Sequence, residues 1–298
     1  MSAALPPAGA ETRRTGVPAW QALASAALAA AAFICMDATI KSLSPHFDAI
    51  QLTFLRFLSG SVFALAIWAR QRSPLPRGPQ WKLHLLRSGL LLFTLTSYFH
   101  ALTVLPLAQT VAISYMAPIF ISLLAIWLLR ERPSASIGWA LLFGLAGTGV
   151  ALWPQLSASH TPELWGVAAA AFSAVAFAGV MVMSRMQAQR DSLATILLIQ
   201  NVLPAVALAV PAALTWRPVA WSHLPAIVLA GALATVGLLA VTWAFRHIEA
   251  SRAAPMEYTG LIWAGLLGYF LFGEVPTVWT LASAALIVTG CLLLLRRH

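Results

Sequence analysis

The sequence carries one pattern twice, at a shift of about 143 residues. In each copy a long apolar run ends in an acidic residue with a proline two positions later, and a second apolar run follows. The coinciding positions include Tyr115 with Tyr258, Leu123 with Leu266, Leu128 with Leu271, Glu131 with Glu274, Pro133 with Pro276, and Gly147 with Gly290. Self-similarity at a fixed distance indicates a duplicated structural unit. The chain is therefore expected to fold as two similar halves.

Composition places both halves in a membrane. Of the 298 residues, 60% are hydrophobic and 9% are charged, whereas about a quarter of the residues of a soluble domain are charged. The mean hydropathy is +0.82. Because a spanning helix needs about 20 apolar residues, about ten spans fit this length. The net charge of +9 does not indicate nucleic-acid binding, since the basic residues lie in short loops and not on one face.

We predict an all-α integral membrane protein with ten transmembrane helices, arranged as two inverted five-helix repeats. A cytoplasmic tail covers residues 1–17, the first repeat covers 18–153, and the second repeat with a short cytoplasmic C-terminus covers 154–298. The spans lie near 18–41, 48–69, 83–104, 107–129, 134–153, 163–185, 192–215, 222–245, 253–273 and 277–296. Five spans per half turn the second half upside down, an arrangement typical of carriers that use a shared midplane site.

The basic residues determine the predicted orientation. With the N-terminus inside, 14 of the 18 lysines and arginines fall on the cytoplasmic side. Lys41 and Arg217 lie in or beside outer loops, while Arg56 and Arg87 lie within spans. The positive-inside rule therefore favours cytoplasmic positions for both termini.

Small residues indicate where helices approach one another. Ala140, Gly144 and Thr148 recur every four positions on span five, and Gly260, Ala264 and Gly268 do so on span nine. Such stripes allow close backbone packing between membrane helices. We predict helix contacts on both faces.

Several short motifs carry a resemblance to a known family. They are Met36-Asp37-Ala-Thr-Ile-Lys41, Leu55-Arg56, Leu85-Leu86-Arg87-Ser-Gly89, the Tyr-Met-Ala-Pro run at 115–118, and the paired Glu-x-Pro turns. In their order and duplication the chain resembles the drug/metabolite transporter superfamily, in particular its ten-helix EamA-type bacterial exporters. The resemblance covers residues 18–296. Leu261 stands where the second copy of Pro118 would map.

This resemblance implies a secondary transporter that exports small metabolites, in particular aromatic or other neutral amino acids, by alternating access at a central cavity. The cavity would be lined chiefly by spans one, three, four, six, eight and nine. The implied partners are a small-molecule substrate and the lipid bilayer, the location is a bacterial inner membrane, and we expect a monomer. No catalytic residue, metal site or cofactor is expected, because the sequence has no Walker loop and no cysteine or histidine cluster.

Charges within spans are costly, so they are the first candidates for a functional role. Asp37 and Arg56, near the outer ends of spans one and two, are predicted to form a gate or structural network, with substrate contact as the alternative. Glu257, at the inner end of span nine, is predicted to belong to an inner salt bridge with the nearby arginines or to couple transport to protons. Arg87 is predicted to extend to the cytoplasmic surface.

Substrate recognition requires polar and aromatic side chains near the midplane. On span three, Thr96 and His100 share one helical face and Tyr98 points nearly the other way; we predict that the His100 face lines the cavity. The remaining predicted lining residues are Tyr115, Phe172, Ser173, Trp243, Tyr258 and Trp263. Pro118, well inside span four, is the predicted hinge.

Two alternatives stay open at this stage. Members of the superfamily transport in both directions, so import of a nucleoside-like or cofactor-like metabolite is the second hypothesis. A membrane-embedded transferase is the third, but it would need a tight cluster of His, Asp or Glu residues at one membrane face. The histidines of this chain are instead scattered over different spans and loops.

Overall fold

The computed structural model describes residues 17–76, 78, 80–105, 110, 113–129, 135–156, 164–272 and 278–296. Within these ranges the chain is helical and contains no β-strand. The α-helices are α1 Ala19–Leu43, α2 Ala49–Gln71, α3 Gln80–Val104, α4 Ala117–Leu129, α5 Ala135–Leu156, α6 Leu164–Ala188, α7 Leu193–Leu214, α8 Leu224–His247, α9 Ala250–Ala253, α10 Thr259–Phe272 and α11 Val278–Arg296. Two 3₁₀ segments, Trp221–His223 and Ala254–Tyr258, precede α8 and α10.

The helices have the length and composition of membrane spans. Six of the described helical stretches are long and apolar enough to cross a bilayer: α1, α2, α3, α6, α7, and α8 together with its preceding 3₁₀ turn. Shorter apolar helices occur at Ala117–Leu129, Ala135–Val150 and Leu281–Gly290. The chain is therefore an all-helical, multi-pass membrane protein.

Two predicted spans differ from the observed helices. Span nine, predicted as one helix over 253–273, consists of α9, the 3₁₀ segment Ala254–Tyr258 and α10. Pro255 lies within the 3₁₀ segment, and a proline there cannot donate the backbone hydrogen bond of a regular α-helix. Span four was predicted as one helix from residue 107, but Tyr115 and Met116 form a turn between helical residues 113–114 and α4, which begins at Ala117. Residues 106–109 and 111–112 lie outside the described part of the chain.

Neighbouring helices pack closely and run in opposite directions. Ser25 of α1 donates a hydrogen bond to the carbonyl of Ala240 in α8 over 2.9 Å, and further along α1 Phe33 packs against Gly237. The residue numbers of these contacts decrease along α8 as they increase along α1. The two helices are therefore antiparallel.

The helix contacts are reciprocal between the two halves. Under the sequence shift, α1 corresponds to α6 and α3 to α8; α1 packs on α8, and α3 packs on α6. Likewise α4 packs on α6 while its counterpart α10 packs on α1, and the equivalent helices α2 and α7 contact each other. This is the pattern expected of two similar halves packed around a common axis.

The contact between α5 and α11 shows the same reciprocity at atomic detail. A Cβ added to Gly147 would lie 3.0 Å from the carbonyl oxygen of Ser283, and one added to Gly290 would lie 3.2 Å from the carbonyl oxygen of Ala140. The sequence shift maps Gly147 onto Gly290 and Ala140 onto Ser283. Both glycines thus permit the same close approach, and Ala140 and Thr148 of the predicted stripe are buried.

Candidate functional site

A cavity of about 160 Å³ lies among the helices of both halves. Its walls are mostly apolar, with aromatic rings from Phe33, Phe177 and Phe245. Its polar lining consists of Asp37, Arg56, Thr94, Tyr98, Ser114, Tyr115, Ser173, Gln200 and Glu257. An apolar cavity with a few convergent polar groups is the usual form of a small-molecule site.

Asp37 and Tyr98 form a buried pair in the lining of the cavity. The Tyr98 hydroxyl donates to the Asp37 carboxyl oxygen Oδ2 over 3.2 Å, and both residues are less than 10% exposed. Lys41, one turn further along α1, instead donates to the carbonyl oxygen of Leu102 over 2.6 Å. The pair between Asp37 and Lys41 that helical spacing would permit is therefore replaced by a bond between α1 and α3.

Arg56 is buried in the cavity wall with spare hydrogen-bonding capacity. Only 4% of it is exposed, and its guanidinium carbon lies 4.4 Å from the ring centroid of Phe57, at cation-π distance. Among the described residues, its Nε and Nη1 have no hydrogen-bond partner, and no ion pair forms with Asp37. A buried donor without a partner costs about 1–3 kcal/mol, so these groups favour an acceptor that enters the cavity.

Glu257 lies at the other end of the cavity, in the 3₁₀ segment before α10. Its carboxylate has no hydrogen bond or ion pair within the described residues. Of the two arginines near it in sequence, Arg246 donates to the carbonyl oxygens of Ala188 and Asp191, and Arg252 interacts electrostatically with Glu249. The inner salt bridge predicted for Glu257 is therefore not formed in this structure.

Two tyrosines from equivalent positions of the repeat lie together. The rings of Tyr115 and Tyr258 are 5.9 Å apart, but only Tyr115 lines the cavity. A Cβ at Gly260 would lie 2.6 Å from the Tyr115 hydroxyl, so glycine at this position makes room for the phenol. Tyr258 packs against Gly144 of α5 and is 1% exposed.

The structure brings together five of the predicted site residues: Asp37, Arg56, Tyr115, Ser173 and Glu257 line one cavity. It places Thr96 and His100 elsewhere. His100 is exposed and Thr96 is half-buried, whereas Thr94 and Tyr98 line the cavity. The expectation that the His100 face dominates is therefore not met, because α3 turns its opposite face to α6 and the cavity.

The other predicted residues also lie outside the cavity lining. Phe172 is 52% exposed and Trp263 is 40% exposed on the outside of the bundle. Trp243 stacks on His247 with ring centroids 4.3 Å apart. Pro118 lies in the first turn of α4, directly after the turn at Tyr115 and Met116 that interrupts span four. Its role as a hinge stays a prediction.

A buried polar network centred on Arg87 was not predicted from the sequence. Arg87 donates through Nη1 to Gln187 Oε1 over 2.5 Å and through Nη2 to Gln200 Oε1. Gln187 Nε2 lies 3.1 Å from His84 Nδ1, and His84 Nε2 lies 3.1 Å from Asp191 Oδ2. Arg87 is 2% exposed, so the prediction that it extends to the surface is wrong. Gln200, inside the apolar run of span seven, was the available sequence signal.

Comparison with known proteins agrees with this geometry. The model of the EamA-like transporter family matches residues 18–153 and again residues 164–296. The S-adenosylmethionine uptake transporter of Rickettsia bellii is 24% identical, over 87% of this chain and 88% of that protein. The pseudopaline exporter CntI of Pseudomonas aeruginosa is 28% identical, over 91% of this chain and 94% of that protein.

A solved crystal structure has the same fold. It superposes with a TM-score of 0.75 at 25% sequence identity, and the match covers 91% of this chain and 96% of the other. The family model matches nearly the whole chain, once in each half, and the relatives named above are membrane transporters. The chain belongs to the EamA-like transporter family.

Proposed function

We propose that this protein is a secondary transporter of small metabolites that carry an α-amino-acid head group. The observation that carries the proposal is the buried guanidinium of Arg56, which presents unpartnered N–H groups beside the Asp37 carboxylate in the cavity wall. A guanidinium binds a carboxylate through parallel hydrogen bonds. Arg56 would bind the substrate carboxylate, and Asp37 would bind the ammonium group.

The apolar part of the cavity suits the rest of such a molecule. Phe33, Phe177 and Phe245 supply aromatic surface, and Leu238 and Val241 supply aliphatic surface. Aromatic and other neutral amino acids, the class that the resemblance implies, could bury their side chains against these walls. Binding and release would require no covalent step.

Transport would proceed by alternating access between two inverted five-helix repeats, residues 18–153 and 154–298, in the bacterial inner membrane. The reciprocal contacts of α1 with α8 and of α3 with α6 support this arrangement, as does the double match to the family model. In inverted-repeat carriers, one unit moves against the other around a midplane site. The cavity lies between helices of both halves, as this movement requires.

The inverted arrangement makes a labelling prediction. Pro74 and Pro218 are exposed residues in loops that follow the equivalent helices α2 and α7. In a variant without Cys35 and Cys291, a cysteine at 218 should react with an impermeant maleimide in intact cells, and a cysteine at 74 only after permeabilisation. Equal reactivity of both positions in intact cells would contradict the inverted arrangement and the cytoplasmic termini.

The direction of transport distinguishes two candidate functions, export and import. The family resemblance and the pseudopaline exporter favour export. Import of a cofactor-like metabolite is the second candidate, because several relatives are named S-adenosylmethionine uptake transporters, and this compound also carries an α-amino-acid group. Expression in cells distinguishes the two: export should raise tolerance to toxic amino-acid analogues, while import should increase accumulation of labelled substrate.

The binding role of Arg56 can be tested in proteoliposomes loaded with a mixture of labelled amino acids. Arg56→Gln should lower the initial efflux rate about tenfold or more, since a hydrogen bond to a charged group contributes about 1.5–3 kcal/mol. Arg56→Lys should retain part of the activity, because it keeps the charge but not the paired donors.

His100→Ala is the matched control for this experiment. His100 lies on α3 but outside the cavity, and its side chain is exposed. The efflux rate of His100→Ala should therefore stay within about twofold of that of the unmodified protein. If no amino acid leaves the vesicles, or if Arg56→Gln and His100→Ala behave alike, the proposed head-group site is wrong.

A further inference from the structure

The charges of the cavity do not balance. Among its described lining residues, two carboxylates, Asp37 and Glu257, face one guanidinium, Arg56. The inference below rests on the proposed function, in which Arg56 and Asp37 hold an amino-acid head group. That head group brings one negative and one positive charge. Glu257 is then left as a carboxylate in a low-dielectric cavity without a counter-charge, which is costly.

The fold places Glu257 at a different depth from Asp37. Because α1 is antiparallel to α8, and α9 and α10 return after the short connection at Ile248 and Glu249, α1 and α10 run parallel. Ile34 of α1 and Gly260 of α10 lie at the same height along these parallel helices, because a Cβ at Gly260 would lie 3.1 Å from Ile34 Cγ1. Asp37 lies three residues beyond Ile34, and Glu257 lies three residues before Gly260.

This offset separates the two acids along the helix axes. With a rise of 1.5–2.0 Å per residue, three residues in each direction amount to roughly 9–10 Å. One ammonium group cannot contact carboxylates so far apart. One extended amino acid can place its head group at Asp37 and the far end of its side chain at Glu257.

The surroundings of Glu257 suit a cation. Tyr115, which is 6% exposed, turns its hydroxyl toward Gly260, and that oxygen has no hydrogen-bond partner within the described residues. Tyr115 lines the same cavity as Asp37 and Glu257. An aromatic ring, a phenol oxygen and a carboxylate together form the usual environment of a bound ammonium or similar cation.

Among the residues that the structure describes, no positive side chain forms an ion pair with Glu257. Arg246 is bound to backbone carbonyls of the loop after α6, and Arg252 interacts with Glu249. Arg56 lies at the level of Asp37, two helical turns into α2 from the outer side. A positively charged group of a ligand in the cavity would supply the counter-charge for the Glu257 carboxylate.

We infer that Glu257 forms a second charged subsite of the cavity, which binds a positive group at the far end of the substrate from its amino-acid head group. Tyr115 assists by accepting a hydrogen bond or presenting its ring to that group. The favoured cargo is consequently an amino acid with an additional cation, such as an amine, guanidinium or sulfonium, in preference to a neutral amino acid of the same length.

Lysine and norleucine provide a matched pair of probes. Norleucine has the four-carbon side chain of lysine without the terminal ammonium group. In counterflow into proteoliposomes at pH 7, the unmodified protein should carry labelled lysine about tenfold faster than labelled norleucine. Glu257→Gln should remove this preference by lowering lysine transport about tenfold, with norleucine transport within twofold of its original rate.

Norleucine transport by Glu257→Gln also reports whether the variant is folded, and Glu257→Asp should keep part of the lysine preference. Equal loss of both substrates in Glu257→Gln, at unchanged thermal stability, would overturn the inference and favour a proton-coupling role. Equal rates of both substrates in the unmodified protein would overturn it as well.

The failure of this inference can be told from the failure of the proposed function. If norleucine and lysine move equally well and both depend on Arg56, the head-group site stands and the Glu257 subsite is wrong. If neither moves, or if Arg56→Gln has no effect on either, the head-group site itself is wrong.

Discussion

Replacing Arg87 by leucine is expected to destabilise the protein more than any other single change considered. The guanidinium joins three helices, because it lies on α3 and donates to Gln187 on α6 and Gln200 on α7. Leucine would leave both amide oxygens buried without a donor and would uncouple the adjoining pair of His84 and Asp191. Since hydrogen bonds to charged groups contribute about 1.5–3 kcal/mol each, we expect a loss of about 3–5 kcal/mol.

The measurement is the unfolding midpoint of the purified protein in detergent, followed by fluorescence. Arg190→Leu is the matched control: Arg190 lies at the same end of the bundle as this network, but its side chain is exposed. The unfolding midpoint of Arg190→Leu should therefore change little. Arg87→Lys should fall between the two, because lysine can reach only part of the network. A midpoint of Arg87→Leu equal to that of Arg190→Leu would show that the network is not important for stability.

Replacing Gly144 by alanine is the second change with a large expected effect. The added methyl group would overlap the ring of Tyr258, with its Cβ 2.6 Å from Tyr258 Cγ. The ring cannot move away freely, because Tyr258 is 1% exposed and stacks against Tyr115. Overpacking of this kind costs about 1–3 kcal/mol, although alanine is the better helix former.

The same helix supplies the control. Gly149 of α5 has nothing within 4 Å of an added Cβ, so Gly149→Ala should leave the unfolding midpoint unchanged or raise it slightly, by up to about 1 kcal/mol of helix propensity. Gly144→Ala should also lower transport, since a displaced Tyr258 ring would press on Tyr115 in the cavity wall. Equal midpoints for the two alanine variants would contradict the close packing of α5 on the segment before α10.

The charged residues of the cavity were identifiable from the sequence because charge in a membrane span is costly and rare. Asp37, Arg56 and Glu257 stand out in apolar runs, and all three line the cavity. Their partners were not identifiable in this way. Asp37 is bonded to Tyr98 and not to Lys41, and no arginine of the described residues forms an ion pair with Glu257. These outcomes depend on how separate helices are rotated.

The choice between the two faces of α3 shows this limit most clearly. Thr96 with His100 and Thr94 with Tyr98 are equally polar sets on opposite sides of one helix. Lipid and protein interior are both apolar, so hydrophobicity does not distinguish the buried side of a membrane helix from the exposed side. The packing of α3 on α6 places Thr94 and Tyr98, and not Thr96 and His100, in the cavity lining.

The sequence by itself determined that this chain is a membrane protein and predicts two similar halves, because composition and the 143-residue shift are properties of the residues alone. It also supplied the small-residue stripe on α5, since Ala140, Gly144 and Thr148 can pack closely wherever their partner lies. The rotation of each helix and the break of the ninth span at Pro255 emerged only from the tertiary structure. So did the assembly of Arg56, Asp37 and Glu257 around one cavity, because that assembly depends on contacts between helices far apart in the chain.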